Sequence, residues 1–200
     1  MSVAEVLGPG FIGFDSNGMH MTPEEFDAIE DWDEDYDYEL VNGVLIVLPP
    51  PGAGERSPSD ELARMFLNYQ DDLPGIIDDT LPEQTLRTTP NRRRADRVVW
   101  IGLGRAPVPG SDVPAIAIEF VSRSRRDRKR DHIVKRQEYA AIGVDEYWVI
   151  DRFGRKMTVY FRTGEVLELT EADVYRTRLL PGFELPLARL FAKSDRYRDS

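Results

Sequence analysis

Glu119 lies inside the apolar run Ala115–Val121 of "VPAIAIEFVSRS", the kind of run that forms a strand buried on both faces. An ionised carboxylate in such a place needs a cation, a metal or a proton. Alternation along a strand puts Ala117, Glu119 and Val121 on one face and Ile116, Ile118 and Phe120 on the other. Upstream, "RRRADRVVWIG" places Asp96 at the start of a second apolar strand, on the side of Val98 and Trp100. Two carboxylates on neighbouring strands can share one divalent cation, which polarises a phosphate and lowers the pKa of an attacking water. A nearby lysine then orients that water or stabilises the developing charge. The plainer alternative for both acids is an ion pair with one of the many arginines.

Composition narrows the chemistry. The 200 residues include no cysteine, which removes disulfides, thiolate metal sites and cysteine nucleophiles. Only His20 and His132 are histidines, too few for a histidine-rich zinc centre. A metal would be held by carboxylates, which favours magnesium or manganese. The net charge of −10 argues against simple nucleic-acid coating, but it is segregated. Residues 24–39 carry ten Asp/Glu and no Lys/Arg, whereas 122–136 carry eight Lys/Arg against two Asp. Arg92, Arg93, Arg94 and Arg97 form a second basic group. These segments read as solvated faces, as a contact between two copies in a homodimer, or as a basic rim around a phosphate-handling site. No run approaches the roughly 18 apolar residues of a membrane span. With no basic-then-apolar start, the expected location is cytoplasmic.

The elements that must position the acids can be read in order. Residues 1–20 are expected as an arm, 21–192 as one domain and 193–200 as a polar tail. "MTPEEFDAIED" opens a helix with Thr22 as cap, Pro23 in the first turn and Glu25 completing a capping box. Asn42-Gly43 marks a hairpin with strands near 36–41 and 44–48. Pro49–Gly54 reads as a loop, and Leu62, Met65, Phe66 and Tyr69 give an amphipathic helix its apolar face. Strands are expected at 83–88 and 96–101. A basic helix over about 127–142 follows the Glu119 strand and stops at Gly143. "EYWVIDRFGRKMTVYFRTGEVLEL" is a three-strand meander. The strand–helix–strand unit 115–151 implies a parallel pair. Trp100 and Trp148 read as core.

An acid, a spacer and then an acid within a strand resembles the PD-(D/E)XK nuclease pattern, with Ala95 at the usual proline position and Val121 at the usual lysine position. Over residues 20–191 the chain also resembles the Uma-two family, grouped with the restriction endonucleases. The likeness is carried by "MTPEEF", "YELVNG", "IEFVSRS", "KRQEYAAIGVDEYWVID" and "LLPGFELPLARLF". It implies a mixed α/β (α+β) fold: a restriction-endonuclease-like core whose central mixed β-sheet is flanked by helices, with an N-terminal β-hairpin and a C-terminal β-meander. It further implies magnesium- or manganese-dependent hydrolysis of DNA. Asp96, Glu119 and the backbone carbonyl of Phe120 would be metal ligands, and Lys135 would replace the lysine absent at Val121. Asp131, Lys135, Tyr139 and Ile142 share one line of the basic helix. Glu39 of "YELVNG" is either a third acid or a solvent-facing hairpin residue. Arg94, Arg123, Arg125, Arg126 and Lys129 are candidates for phosphate-backbone contact. The family often has a histidine near "SPSDEL", where this chain has Ser59 and Asp60. That departure and Val121 support an alternative: a nuclease-fold module that no longer cuts and binds nucleic acid or a protein.

Overall fold

The computed structural model describes residues 11–121 and 125–197, with side chains throughout except at 125–132. The chain divides into two compact units: Met1–Pro50 with Thr85–Arg94, and Pro51–Gln84 with Ala95–Ser200. The expectation was one domain after an arm.

In the first unit, α1 (Pro23–Asp27) starts as its sequence dictates. The Glu25 N–H donates to Thr22 Oγ1 at 3.1 Å, and the Thr22 N–H donates to Glu25 Oε2 at 2.8 Å. Strands β1 (Asp37–Val41) and β2 (Val44–Leu48) pair antiparallel around Asn42 and Gly43. Those two residues have φ of 51° and 76°, the left-handed pair that a two-residue hairpin turn requires. Residues 11–20 join this unit through bridges and a buried side chain. Ile12 is buried and bridges to Trp32, His20 bridges to Val44, and the Tyr38 hydroxyl donates to the Ile12 carbonyl at 3.0 Å. Ile12 thus belongs to a core with Phe26, Tyr38, Leu40, Leu45 and Val47. Isolated bridges have no periodicity, so the sequence carries no sign of them.

The second unit is built on a mixed sheet in the order β4 (Arg92–Ile101), β5 (Ile116–Phe120), β6 (Glu146–Asp151), β7 (Lys156–Phe161), β8 (Val166–Thr170), with β3 (Ile77–Arg87) also paired to β4. Strands β3 and β4 begin in one unit and end in the other. β5 and β6 run parallel, joined through α3 (Arg125–Ile142), whereas β4–β5, β6–β7 and β7–β8 are antiparallel. Helices α2 (Ala53–Asp72) and α4 (Leu187–Ser194) cover one face. Leu62, Phe66, Leu190 and Phe191 pack there against Val99, Ile116, Ile118, Trp148 and Ile150. Each such side chain contributes about 1.5–3 kcal/mol by leaving water. α3 serves the opposite face, where Tyr139 meets the Tyr147 ring edge-on at 5.1 Å. A short pairing of β9 (Val174–Tyr175) with β10 (Leu185–Pro186) leads into α4.

α2 starts at Ala53, inside the stretch expected as a loop, and carries Pro58 within it. The Gly52 N–H donates to Glu55 Oε2 at 3.0 Å, which closes the helix start. Among the described residues no helix is long and apolar enough to cross a membrane.

Candidate active site

The register of β4 on β5 brings the two acids together. Arg97 lies across from Ile118, and one step further along the antiparallel ladder sets Asp96 across from Glu119. Residues directly opposite share a face, and for this pair it is the face under α3. Asp96 is half-buried, and its Oδ2 accepts the Phe120 N–H at 2.5 Å. Within a strand the N–H and C=O of one residue point to the same edge. The Phe120 carbonyl therefore faces the β4 side, where Asp96 lies. The Val121 N–H points the other way, to the Ile150 carbonyl at 2.9 Å.

Glu119 is buried, and its Oε1 is reached from α3 by two side chains one turn apart. Lys135 Nζ donates at 2.8 Å and the Tyr139 hydroxyl at 3.4 Å. Lys135 is only 5% exposed and Tyr139 is 0%, so α3 delivers a buried cation to a buried carboxylate. Burial pushes the Asp96 carboxyl well above its ordinary value, and the charges of Glu119 and Glu83 push it further. The Phe120 N–H and the Lys135 ammonium pull it partly back. The oxygens that could hold a hard divalent cation are those of Asp96, Glu119 and the Phe120 carbonyl. Among the described residues no group of three or more Asp, Glu, His or Cys side chains that could hold a metal ion is present.

Glu39 belongs to the first unit and is not solvent-facing: it is 4% exposed. Its Oε2 accepts from Arg93 Nη1 at 3.2 Å and its Oε1 from the Arg94 N–H at 3.0 Å. The Arg94 guanidinium is paired with Asp37 at 2.9 Å. Arg123 lies outside the described residues, and the side chains of Arg125, Arg126 and Lys129, with those of Asp131 and His132, lie outside the described ones. Ser59 is buried and accepts from Arg97 Nε at 3.2 Å, while Arg97 Nη1 reaches Thr80 Oγ1 at 3.4 Å. Burial holds the Arg97 pKa down, with the charges of Asp60 and Glu83 opposing.

Glu83 was not foreseen. It sits within β3 at φ 51°, and its charge acts on both Asp96 and Arg97. A left-handed glutamate inside a strand has no signature in residue type or period. The Tyr139 hydroxyl contact was visible only in part: its place on the Lys135 line was legible, its reach to Glu119 was not.

No curated protein matches the chain. A crystal structure titled as "a putative nuclease belonging to DUF820 from Anabaena variabilis ATCC 29413" superposes with a TM-score of 0.70 at 17% identity, covering 87% of this chain and 99% of that one. At that identity the likeness establishes the fold alone. The model of the Uma2 family, described as "Putative restriction endonuclease", matches residues 23–188. The chain belongs to the Uma2 family.

Proposed function

We propose that this protein is a divalent-metal-dependent endonuclease that hydrolyses phosphodiester bonds of DNA. The observation that carries the reading is the buried Glu119–Lys135 pair set across one ladder step from Asp96. The residues fit a hard cation, because the carboxylates of Asp96 and Glu119 and the Phe120 carbonyl offer oxygen donors. Asp96, Glu119 and the Phe120 carbonyl would hold magnesium or manganese. When bound, the metal supplies Lewis acidity toward the scissile phosphate and lowers the pKa of an attacking water.

The protein's own groups do the rest. Lys135, fixed on Glu119 at 2.8 Å, keeps a cation where negative charge develops on the phosphate. Tyr139 and the floor of Ala117 and Val149 exclude bulk water from the Glu119 side. That low-polarity wall strengthens each charge interaction. Glu39, held by Arg93 and the Arg94 N–H, is assigned to its own unit's architecture.

Incubating the purified protein with DNA and magnesium or manganese tests the reading. Cleavage lost in Glu119→Ala and in Asp96→Asn supports it, and cleavage unaffected by Glu119→Ala contradicts it. A second reading, a nuclease-fold module that binds without cutting, is favoured by Val121 at the usual lysine position and by the sequestration of Lys135 on Glu119. Calorimetry that finds no divalent-cation site would select it.

A further inference from the structure

α3 meets the sheet at a second place besides Glu119. Tyr147 of β6 is in register with Ala117 of β5 on one side and with Tyr160 of β7 on the other. Residues in register share a face, so these three lie on the face that also carries Glu119, two residues beyond Ala117. Their rings form a chain that starts at the site. Tyr139 of α3, whose hydroxyl is 3.4 Å from Glu119 Oε1, meets the Tyr147 ring edge-on at 5.1 Å. Tyr147 stacks on Tyr160 with 5.9 Å between ring centres and 24° between the planes. The chain then returns to α3. Arg136 Cζ lies 4.7 Å from the centre of the Tyr160 ring, and Arg136 Nη2 donates to the Gly164 carbonyl at 3.1 Å. The negative face of the ring attracts the guanidinium.

The consequence is a fixed rotation of the helix. Arg136 follows Lys135 directly, about 100° further round α3, and Tyr139 stands one turn beyond Lys135. Tyr139 alone would let α3 roll about a single contact. Arg136 reaches a second element, the turn between β7 and β8, and stops that roll. The turn is itself tied down: the Arg162 N–H donates to the Asp145 carbonyl at 2.9 Å, and the Arg162 guanidinium pairs with the Asp145 carboxylate at 2.9 Å. Side chains extend about 5–6 Å from a helix axis, so a rotation of about 10° carries a tip about 1 Å. A displacement of about 1 Å can cost a reaction about a hundredfold. The direction of the Lys135 ammonium therefore depends on where Arg136 is anchored.

We propose that Arg136 is a positioning residue for the Glu119–Lys135 pair. Clamped between the Tyr160 ring and the Gly164 carbonyl, it sets the rotation of α3 and so holds the Lys135 ammonium on Glu119. The proposal rests on the nuclease reading above and extends it to a residue that does not touch substrate.

Two readouts test it, one of them independent of cleavage. The chain has four lysines, and the ammonium of Lys135, 5% exposed and donating to a carboxylate, should exchange its protons slowly enough to give a proton–nitrogen NMR signal. Lys135→Arg identifies that signal by its loss. Arg136→Met should shift and broaden the signal, and on a DNA duplex with manganese it should lower kcat about tenfold with KM unchanged. Tyr160→Leu should do the same, because it removes the ring under the guanidinium. Tyr160→Phe keeps that ring and should restore both the signal and kcat. An ammonium signal and a kcat unchanged in both Arg136→Met and Tyr160→Leu would overturn the proposal while leaving the nuclease reading standing. A raised KM with unchanged kcat in Arg136→Met would also overturn it, by making Arg136 a contact for the DNA backbone. If the wild type cuts no duplex, the nuclease reading fails, and the ammonium signal alone decides whether Arg136 holds Lys135 in place.

Discussion

Asp96→Asn should stabilise the metal-free protein at neutral pH. The Asp96 carboxyl is raised well above 3.8 by burial, by Glu119 and by Glu83. An acid whose folded pKa is raised contributes stability below its unfolded value of about 3.8, and that stability is lost as pH rises through the folded value. Asparagine removes the charge and keeps an acceptor for the Phe120 N–H, now at 2.5 Å from Asp96 Oδ2. Relief of like charge directly across the ladder is worth about 0.2–1 kcal/mol per neighbour, and relief of a buried charge adds to it. Trading a charged for a neutral hydrogen bond returns about 1 kcal/mol. The net expectation is a gain of up to about 1 kcal/mol, or a melting temperature higher by up to about 4 °C for a chain of this size. Thermal melts with a chelator across the acid-to-neutral range would show no gap between variant and wild type below the carboxyl's unfolded value of about 3.8, and a gap that widens as pH rises above it. Manganese should then stabilise the wild type and leave the variant unmoved. An Asp96→Asn protein less stable than wild type at neutral pH, or a gap independent of pH, would refute the reasoning.

Three further perturbations bear on the same arrangement. Lys135→Met strands the buried Glu119 charge and should cost about 3–5 kcal/mol in urea denaturation, while the Glu119→Gln/Lys135→Met double variant recovers most of it. Tyr139→Phe keeps the ring contact with Tyr147 at 5.1 Å and should cost only about 0.5–1.5 kcal/mol; it should lower kcat with KM unchanged, because the hydroxyl touches Glu119 and not substrate. Glu39→Gln weakens the buried pair with Arg93 by about 1.5–3 kcal/mol, and calorimetry should find its manganese affinity equal to that of the wild type.

Local chemistry was the most legible part of the sequence. Thr22, Pro23 and Glu25 specify a helix start within four residues, and Asn42-Gly43 specifies a hairpin turn; both are present as their side chains dictate. The alternation around Glu119 gave its face, because a strand buried on both sides still has period two. Tertiary partners were less legible. Ile12 packs through a single bridge, and Glu39 is buried because Arg93, 54 positions away, meets it. Pro49–Gly54 read as a loop, although Gly52 and Glu55 already close the start of α2 within it. In the candidate site, residue order pointed to Asp96 and Glu119, and the family resemblance pointed to Lys135. Glu83 escaped because its position depends on a left-handed backbone inside β3, which a lone glutamate does not announce.

Crystals soaked in manganese and measured at a wavelength where it scatters anomalously test the central claim most directly. The account predicts one anomalous peak within about 2.0–2.6 Å of oxygens from both Asp96 and Glu119, absent from Asp96→Asn crystals treated in the same way. A peak elsewhere, or none in wild-type crystals, would contradict it.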